Sequence, residues 1–304
     1  MSKLIAITGA NSAVGRALLR LAAELRIPCV ACVRSPRAAS ELPQAAESIR
    51  VAYVDYTRSD TLLGAFEGAH AVIHLPGVLI ERPRSTYEDA NVTPARALVG
   101  AARRAGARKL VLVSAIGADP DSTNRYYASK GRAEAYVRES GLEWTILRAP
   151  LVLGAGTEGE QALLSQLRKR HVRLLAGGRV RQQPLDADDL ARGALKSTPI
   201  GVADQRALEL VGPETLPYAQ LVERAARIAG RTVRIGAMPI PLPVLRALLE
   251  LRTRLLGPGF SPDALDVILD EHVVDPKPAL EALGIELTPL DATLRSMLTR
   301  ETNA

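Results

Sequence analysis

Leu4-Ile5-Ala6-Ile7-Thr8-Gly9-Ala10-Asn11-Ser12-Ala13-Val14-Gly15 decides the reading of the whole chain. Leu4 to Ile7 is a short, continuous apolar run, the pattern of a strand buried on both faces of a parallel sheet. Thr8 and Gly9 end it, and from Ala13 onward apolar residues recur at helical spacing. Strand, glycine turn and helix together aim free backbone N–H groups and a helix N-terminus at a phosphate. A dinucleotide turn usually carries three glycines, and here only the outer two, Gly9 and Gly15, are present. The middle position falls on Ser12 or Ala13, both small, so close approach of a pyrophosphate is hindered rather than forbidden. An ordinary strand-to-helix turn is the plainer alternative.

A chain of 304 residues can bury a large core, as one domain or as two that share an interface. Its composition, 47% hydrophobic and 24% charged, is that of a globular protein. No apolar run approaches the roughly 18 residues that span a bilayer. The N-terminus enters a strand almost at once, which leaves no place for a signal peptide, so a soluble cytoplasmic protein is expected. The net charge of +6 raises nucleic acid as a partner, but aromatic residues are only 3%, too few for stacking platforms. The basic residues are also dispersed. The densest groups, Arg103, Arg104, Arg108 and Lys109, and Arg168 to His171, read as solvated helix ends. No nucleic-acid partner and no metal site are expected. Cys29 and Cys32 have C-x-x-C spacing, which invites a redox or zinc reading. They lie inside a strand pattern, however, where residues three apart face opposite sides, so two core thiols are expected.

Further β-α units follow the opening one. Strands are predicted at Cys29–Val33, Ile49–Val54, Ala71–Leu75, Lys109–Val113 and Trp144–Leu147. Ser35-Pro36 reads as an N-cap with proline at the first helical position. Helices are predicted at Thr61–Phe66, at about Ser85–Ala105 with Pro94 as a kink or restart, and at about Asn124–Glu139. Such alternation means a doubly wound parallel sheet with right-handed crossovers. After Arg148 the rhythm changes to glycine loops at Gly154, Gly156 and Gly159, one strand at Ala207–Val211, and mostly helices. The expected organisation is a nucleotide-binding domain over residues 1–154 and a smaller, mostly helical substrate lobe over 155–304. The segment 186–212 is expected to pack back on the first domain. Ligands of open α/β sheets bind at the sheet's C-terminal edge.

Several residues at that edge carry chemistry. Arg34 ends the second strand, where a carboxylate would select the ribose hydroxyl of NAD, and Arg37 lies one turn into the next helix. Arginine there favours the 2′-phosphate of NADP, with a surface arginine as the alternative. Asp55, with Tyr56 beside it, ends the third strand and either accepts from an adenine amino group or caps the following helix. His74-Leu75-Pro76-Gly77 ends the fourth strand. His74 reads as a packed strand-end residue, and Leu75, Pro76 and Gly77 as backbone running beside the cofactor. Tyr126 and Lys130, four apart on a helix, share a face. A lysine cation would lower the phenol's pKa and let the pair move a proton while a nicotinamide moves hydride. Ser114 ends the fifth strand, placed to polarise the same substrate oxygen.

Thr8-Gly9-Ala10 with Gly15, Ser114, Tyr126-x-x-Ser129-Lys130 and Ile146-Leu147-Arg148-Ala149-Pro150 together resemble the short-chain dehydrogenase/reductase superfamily in its extended or atypical form. Ala115-Ile116-Gly117-Ala118-Asp119, Val211-Gly212-Pro213-Glu214 and His272-Val273-Val274-Asp275-Pro276 resemble the branch of the NADPH-holding accessory subunit of respiratory complex I. The resemblance covers nearly the whole chain. It implies a Rossmann-type α/β fold and an NAD(P)-dependent oxidoreductase or epimerase/dehydratase acting on a small molecule, with NADP preferred and NAD as the alternative. It implies cofactor contacts at Gly9, Asn11, Ser12, Ala13, Val14, Gly15, Arg34, Arg37, Asp55, Tyr56, Leu75, Pro76, Gly77 and Lys130, and Ser114, Tyr126 and Lys130 as the proton-handling set. The absent middle glycine and the branch resemblance keep a second reading open, a non-catalytic NADPH-holding accessory or regulatory protein. Val244–Leu256, apolar with Arg246, Arg252 and Arg254, suits a membrane surface or the roof of a lipophilic pocket, but the favoured reading is a lobe-core helix with its arginines snorkelling outward.

Overall fold

A computed structural model of the chain describes residues 3–43 and 47–302. In chain order it contains β1 (Ile5–Thr8), α1 (Ala13–Glu24), β2 (Cys29–Val33), α2 (Pro36–Ser40), β3 (Ile49–Tyr53), α3 (Ser59–Phe66) and β4 (Ala71–His74). There follow α4 (Thr93–Arg104), β5 (Lys109–Ala115), α5 (Arg125–Arg138) and β6 (Glu143–Ala149). The remainder holds β7 (Val152–Leu153), α6 (Glu158–Leu167), β8 (His171–Leu174), β9 (Arg181–Gln182), β10 (Leu185–Asp186), α7 (Ala187–Lys196) and β11 (Arg206–Glu209). It ends with β12 (Leu216–Pro217), α8 (Tyr218–Ile228), β13 (Arg234–Ala237), α9 (Leu242–Leu256), α10 (Pro262–Leu269), α11 (Lys277–Leu283) and α12 (Leu290–Thr302).

Seven strands form one parallel sheet in the order β11-β6-β5-β4-β1-β2-β3. β1, fully buried, lies between β2 and β4 with Thr8 level with both Cys32 and His74. The chain turns one way after β1 and the other way after β3, so the crevice beyond the C-terminal ends of β1 and β4 is the switch point where ligands of such sheets bind. α1 and α7 cover one face, over a core that includes Leu18, Leu19, Val111 and Leu190. α3, α4 and α5 cover the other, over Leu62, Phe66, Leu98 and Leu110. The doubly wound architecture expected from the β-α rhythm is present. Cys29 and Cys32 are free thiols, wholly buried in the opposite cores.

A further core, with Leu163, Leu167, Val172, Leu174, Leu221, Val222 and Leu294, builds the lobe from α6, α8, α12 and the short strands. β11 pairs with β6 in the main sheet and α7 lies against α1, so the chain crosses back between the two cores.

Three expectations need correction. The helix foreseen over Ser85–Ala105 begins later and opens on a π-helical turn at Glu88–Val92, while the restart foreseen at Pro94 is present, with α4 beginning at Thr93. The lobe also carries two-residue and four-residue strands too short to leave an apolar period in the sequence. Finally, α9 is not a core helix, because none of its residues is buried.

Lys109, at the start of β5, is wholly buried and is neutralised from the edge of the sheet. Its amine donates to the Asp204 carboxylate and, at 3.0 Å, to the Val202 carbonyl, both in the loop that leads into β11. Removing one partner of such a pair strands a buried charge. Asp204→Ala is expected to destabilise the protein by about 3 kcal/mol in urea denaturation, and adding Lys109→Met to restore most of that loss. A double variant as unstable as the single one would show that the pair does not anchor β11.

Candidate active site

The turn after β1 is a cradle of backbone. Gly9 has φ +71°, and a side chain there would press on the Pro76 ring at 3.1 Å. Gly15 lets α1 rest directly on the turn, since an added methyl would lie 2.5 Å from the carbonyl oxygens of Gly9 and Ala10. Ser12, where the middle glycine would stand, instead caps α1: its hydroxyl accepts from the Gly15 amide at 3.0 Å. The amides of Ala13 and Val14, first and second in the helix, have no carbonyl one turn earlier to donate to. They are the donors this turn offers an anion. The absent glycine is therefore replaced by a cap that leaves these donors available.

Arg16 and Glu41 extend the cradle. Arg16 donates to the Asn11 carbonyl at 2.6 Å and reaches Gly156, where a side chain would collide with its guanidinium. Asn11 donates to Glu41 at 3.0 Å, at the end of α2. Arg34 and Arg37 are exposed at the end of β2 and on α2, whose N-cap is Ser35. Asp55 is exposed, and its Oδ1 accepts from the Thr57 amide at 2.8 Å and the Thr57 hydroxyl at 2.7 Å. These bonds hold its carboxyl below the ordinary range, and they belong to a local turn.

Across the switch point stands a buried polar group. His74 hydrogen-bonds Thr8 Oγ1 through Nδ1 at 2.7 Å and meets the Tyr56 ring edge-on at 6.2 Å. Burial, with the nearby Lys130 charge, lowers the His74 pKa to about 3, so the ring is neutral. Its Nε2 has no protein partner, and neither has the buried Ser114 hydroxyl. Lys130, 5% exposed, sends its amine from α5 to the Val113 carbonyl at 3.2 Å, beside Gly77. Asn91, in the π-helical turn, fixes this corner: it donates to Ser129 at 2.8 Å and accepts from the Val78 amide at 2.9 Å. π-turns are frequent at functional sites.

α5 is held in place at both ends. Asn124 caps it through the amides of Tyr126 and Tyr127. Buried Glu134 takes both Nε and Nη2 of Arg148 from β6, at 2.9 and 2.7 Å. Tyr126 packs against Tyr87 and Tyr127, with ring centroids 5.8 and 5.7 Å away. The expected depression of its pKa is not found. Burial, reinforced by Tyr87 and Glu158, pushes the phenol above its usual range.

The turn, Pro76–Gly77, Lys130, Ser114 and Tyr56 thus converge at one edge. Asp55 is turned into its own loop. Arg16, Glu41, Asn91 and the Glu134–Arg148 pair were not read from sequence. Asn91 carried a signal in the break of helical pattern before Pro94, whereas Glu41 and the Glu134–Arg148 pair act across segments separated in sequence and leave none.

The Lys130 amine also leaves a mark on stability. Burial pulls its pKa from 10.5 down to about 8, against a smaller opposing effect of Glu134. Between those two values the unfolded chain holds a proton that the folded one has lost, so folding stability rises with pH across that window. The rise is expected to be about 3 kcal/mol in the ligand-free protein and absent in Lys130→Met. Chemical denaturation of both proteins on either side of the window checks this, and parallel curves would refute it.

A family model described as NAD(P)H-binding matches residues 9–174, more than half of the chain. The chain is 26% identical over 273 residues to an NAD(P)H azoreductase of Xenophilus azovorans, covering 90% of this chain and 87% of that one. It is 24% identical over 204 residues to the mitochondrial 40 kDa subunit of NADH-ubiquinone oxidoreductase of Neurospora crassa, covering 66% of this chain and 53% of the subunit. Among solved structures it resembles UDP-glucose 4-epimerase of Thermotoga maritima with a TM-score of 0.76, at 16% identity and over 99% of this chain and 100% of the other. With the cradle, the sheet order and these matches in agreement, the chain belongs to the NAD(P)H-binding family, an extended short-chain dehydrogenase/reductase-like group to which complex I accessory subunits are related.

Proposed function

We propose that this protein is an NADP-preferring oxidoreductase or epimerase acting on a small hydroxyl or carbonyl compound in the cytoplasm. The observation that carries the proposal is the buried, unpartnered Ser114 hydroxyl, set at the same sheet edge as the α1 amides, the Lys130 amine and Gly77. A buried hydroxyl without a partner costs free energy unless an incoming group takes its hydrogen bond. A bound nicotinamide cofactor would supply or accept the hydride.

The chain's own residues do the rest. The amides of Ala13 and Val14 receive the diphosphate, and exposed Arg34 and Arg37 meet a 2′-phosphate. Ser114 donates to the substrate oxygen. Tyr126, kept protonated by burial, suits the reductive direction, in which the phenol gives its proton to an oxygen that is gaining negative charge. In this reading Lys130, one helical turn away on α5, returns a proton to the phenolate. An electron-poor substrate such as a quinone or an azo compound accepts the same pair of a hydride and a proton.

A second reading is favoured by one observation: Tyr126 is packed against the Tyr87 and Tyr127 rings, and its phenol is raised rather than lowered. In that reading the protein holds NADPH without turnover, as an accessory or regulatory protein. The two are separated by a panel of carbonyl, quinone and azo substrates with NADPH. Tyr126→Phe is expected to lower kcat by about a hundredfold or more while leaving NADPH affinity unchanged. Turnover that is indifferent to the substitution removes the mechanism, and no turnover with co-purifying NADPH selects the holding role. Arg34→Glu is expected to weaken NADPH by about tenfold or more, with NADH nearly unaffected, in calorimetric titrations. Equal losses for both would refute the 2′-phosphate contact.

A further inference from the structure

α9 leaves its most apolar face in water. Val244, Leu248, Leu251 and Leu255 recur at i, i+4, i+7 and i+11, one stripe of a helix, and are 50%, 51%, 54% and 72% exposed. Ile240 and Leu256 extend the apolar surface at the two ends. The helix rests on α10 through its other side, where Leu245, Leu249 and Thr253 are half-buried. A contiguous exposed apolar stripe of this kind marks a contact surface.

The surface next to it is basic. β8 and β13 pair in parallel with His171 level with Arg234 and Arg173 level with Gly236, which puts these side chains on one face. His171, Arg173 and Arg234 are exposed, as are Lys169 and Arg170 just before them, while Val172 and Leu174 point into the lobe core. The Met238 amide still donates to the Leu174 carbonyl, and only Pro239, Ile240 and Pro241 separate it from α9. On the helix Arg254 is exposed and has no carboxylate partner among the described residues. The carboxylates around α9 are already engaged: Asp266 and Glu250 by Arg246, Asp263 by the Arg125 amide, and Glu271 by the Arg181 amide. Among the described residues, no carboxylate forms an ion pair with Lys169, Arg170, Arg173, Arg234 or Arg254.

We infer that α9 and the β8–β13 face dock this protein onto an anionic lipid bilayer, with the helix lying in the interface. Apolar stripe and flanking cations are the two attractions that hold a peripheral helix at such a surface. The helix, at 15 residues, is too short to span. A second copy of the chain fits less well. A twofold interface brings the same patch together from both subunits, and here that would oppose arginine to arginine. α10, beneath α9, also touches α5, the helix of Tyr126 and Lys130, so the docked face would lie one helix away from the candidate site. The inference stands independently of the cofactor reading.

Vesicle flotation of the full chain tests it, with phosphatidylcholine alone against phosphatidylcholine mixed with phosphatidylglycerol. The wild type is expected to float with the anionic vesicles and to be released by salt. Leu248→Glu/Leu251→Glu should reduce the bound fraction by about tenfold or more, without lowering Tm, because both side chains are exposed. Arg173→Glu/Arg234→Glu should weaken binding to anionic vesicles, by about fivefold per cation removed, and leave the neutral control unchanged. Failure of the wild type to float, or flotation that both variants retain, overturns the inference. A dimer in light scattering that Leu251→Glu splits also overturns it and assigns the stripe to contact between copies. The Tm shift produced by NADPH, measured on every variant, keeps failure of docking distinct from failure of cofactor binding.

Discussion

The arrangement depends on a direct contact of backbone with backbone at Gly15. Because that residue lacks a side chain, the first turn of α1 sits on the carbonyls of Gly9 and Ala10. Any side chain would lift the helix off the turn and swing its free amides away from the crevice. The strand beneath cannot compensate, since β1 is hydrogen-bonded on both edges and buried on both faces. α1 in turn carries α7, which precedes β11, the outermost strand on the far side of the sheet. A constraint at one residue therefore fixes a helix, its neighbour and the position of the ligand crevice.

Around that crevice, most polar side chains are held by another part of the chain. Lys130 is tied to β5, Asn91 joins the π-helical turn to α5, and Glu134 and Arg148 lock α5 to β6. Such bonds select one rotamer for each group before any ligand arrives, so binding need not order them. Ser114 Oγ and His74 Nε2 are the exceptions, buried and left without partners where the sheet opens. A native protein tolerates few such atoms, and an incoming group at this edge would satisfy these two.

The sheet could be read from the residues because its strands are buried on both sides, and Ile5–Thr8 or Ala71–His74 can be little else. The cap at Ser35 was equally local and is found as written. The lobe was less legible. Strands of two residues, such as Val152–Leu153, are created by a partner strand rather than by any period of their own. α9 shows the limit of periodicity most plainly: an apolar stripe announces that something covers a helix, not that this chain supplies the cover. In the site, the spacing of Tyr126 and Lys130 predicted a shared face. It carried no information on Tyr87, which arrives from another segment and helps to keep the phenol protonated.

One further consequence follows from the two thiols of β2. They are wholly buried in separate cores on opposite sides of a single strand, and burial pushes both up to about 12. They cannot join each other while the strand exists, and the thiolate that an alkylating reagent needs is suppressed in the folded protein. Each modification event therefore requires the central sheet to come apart, so the alkylation rate serves as an internal clock for global opening in the unmodified chain.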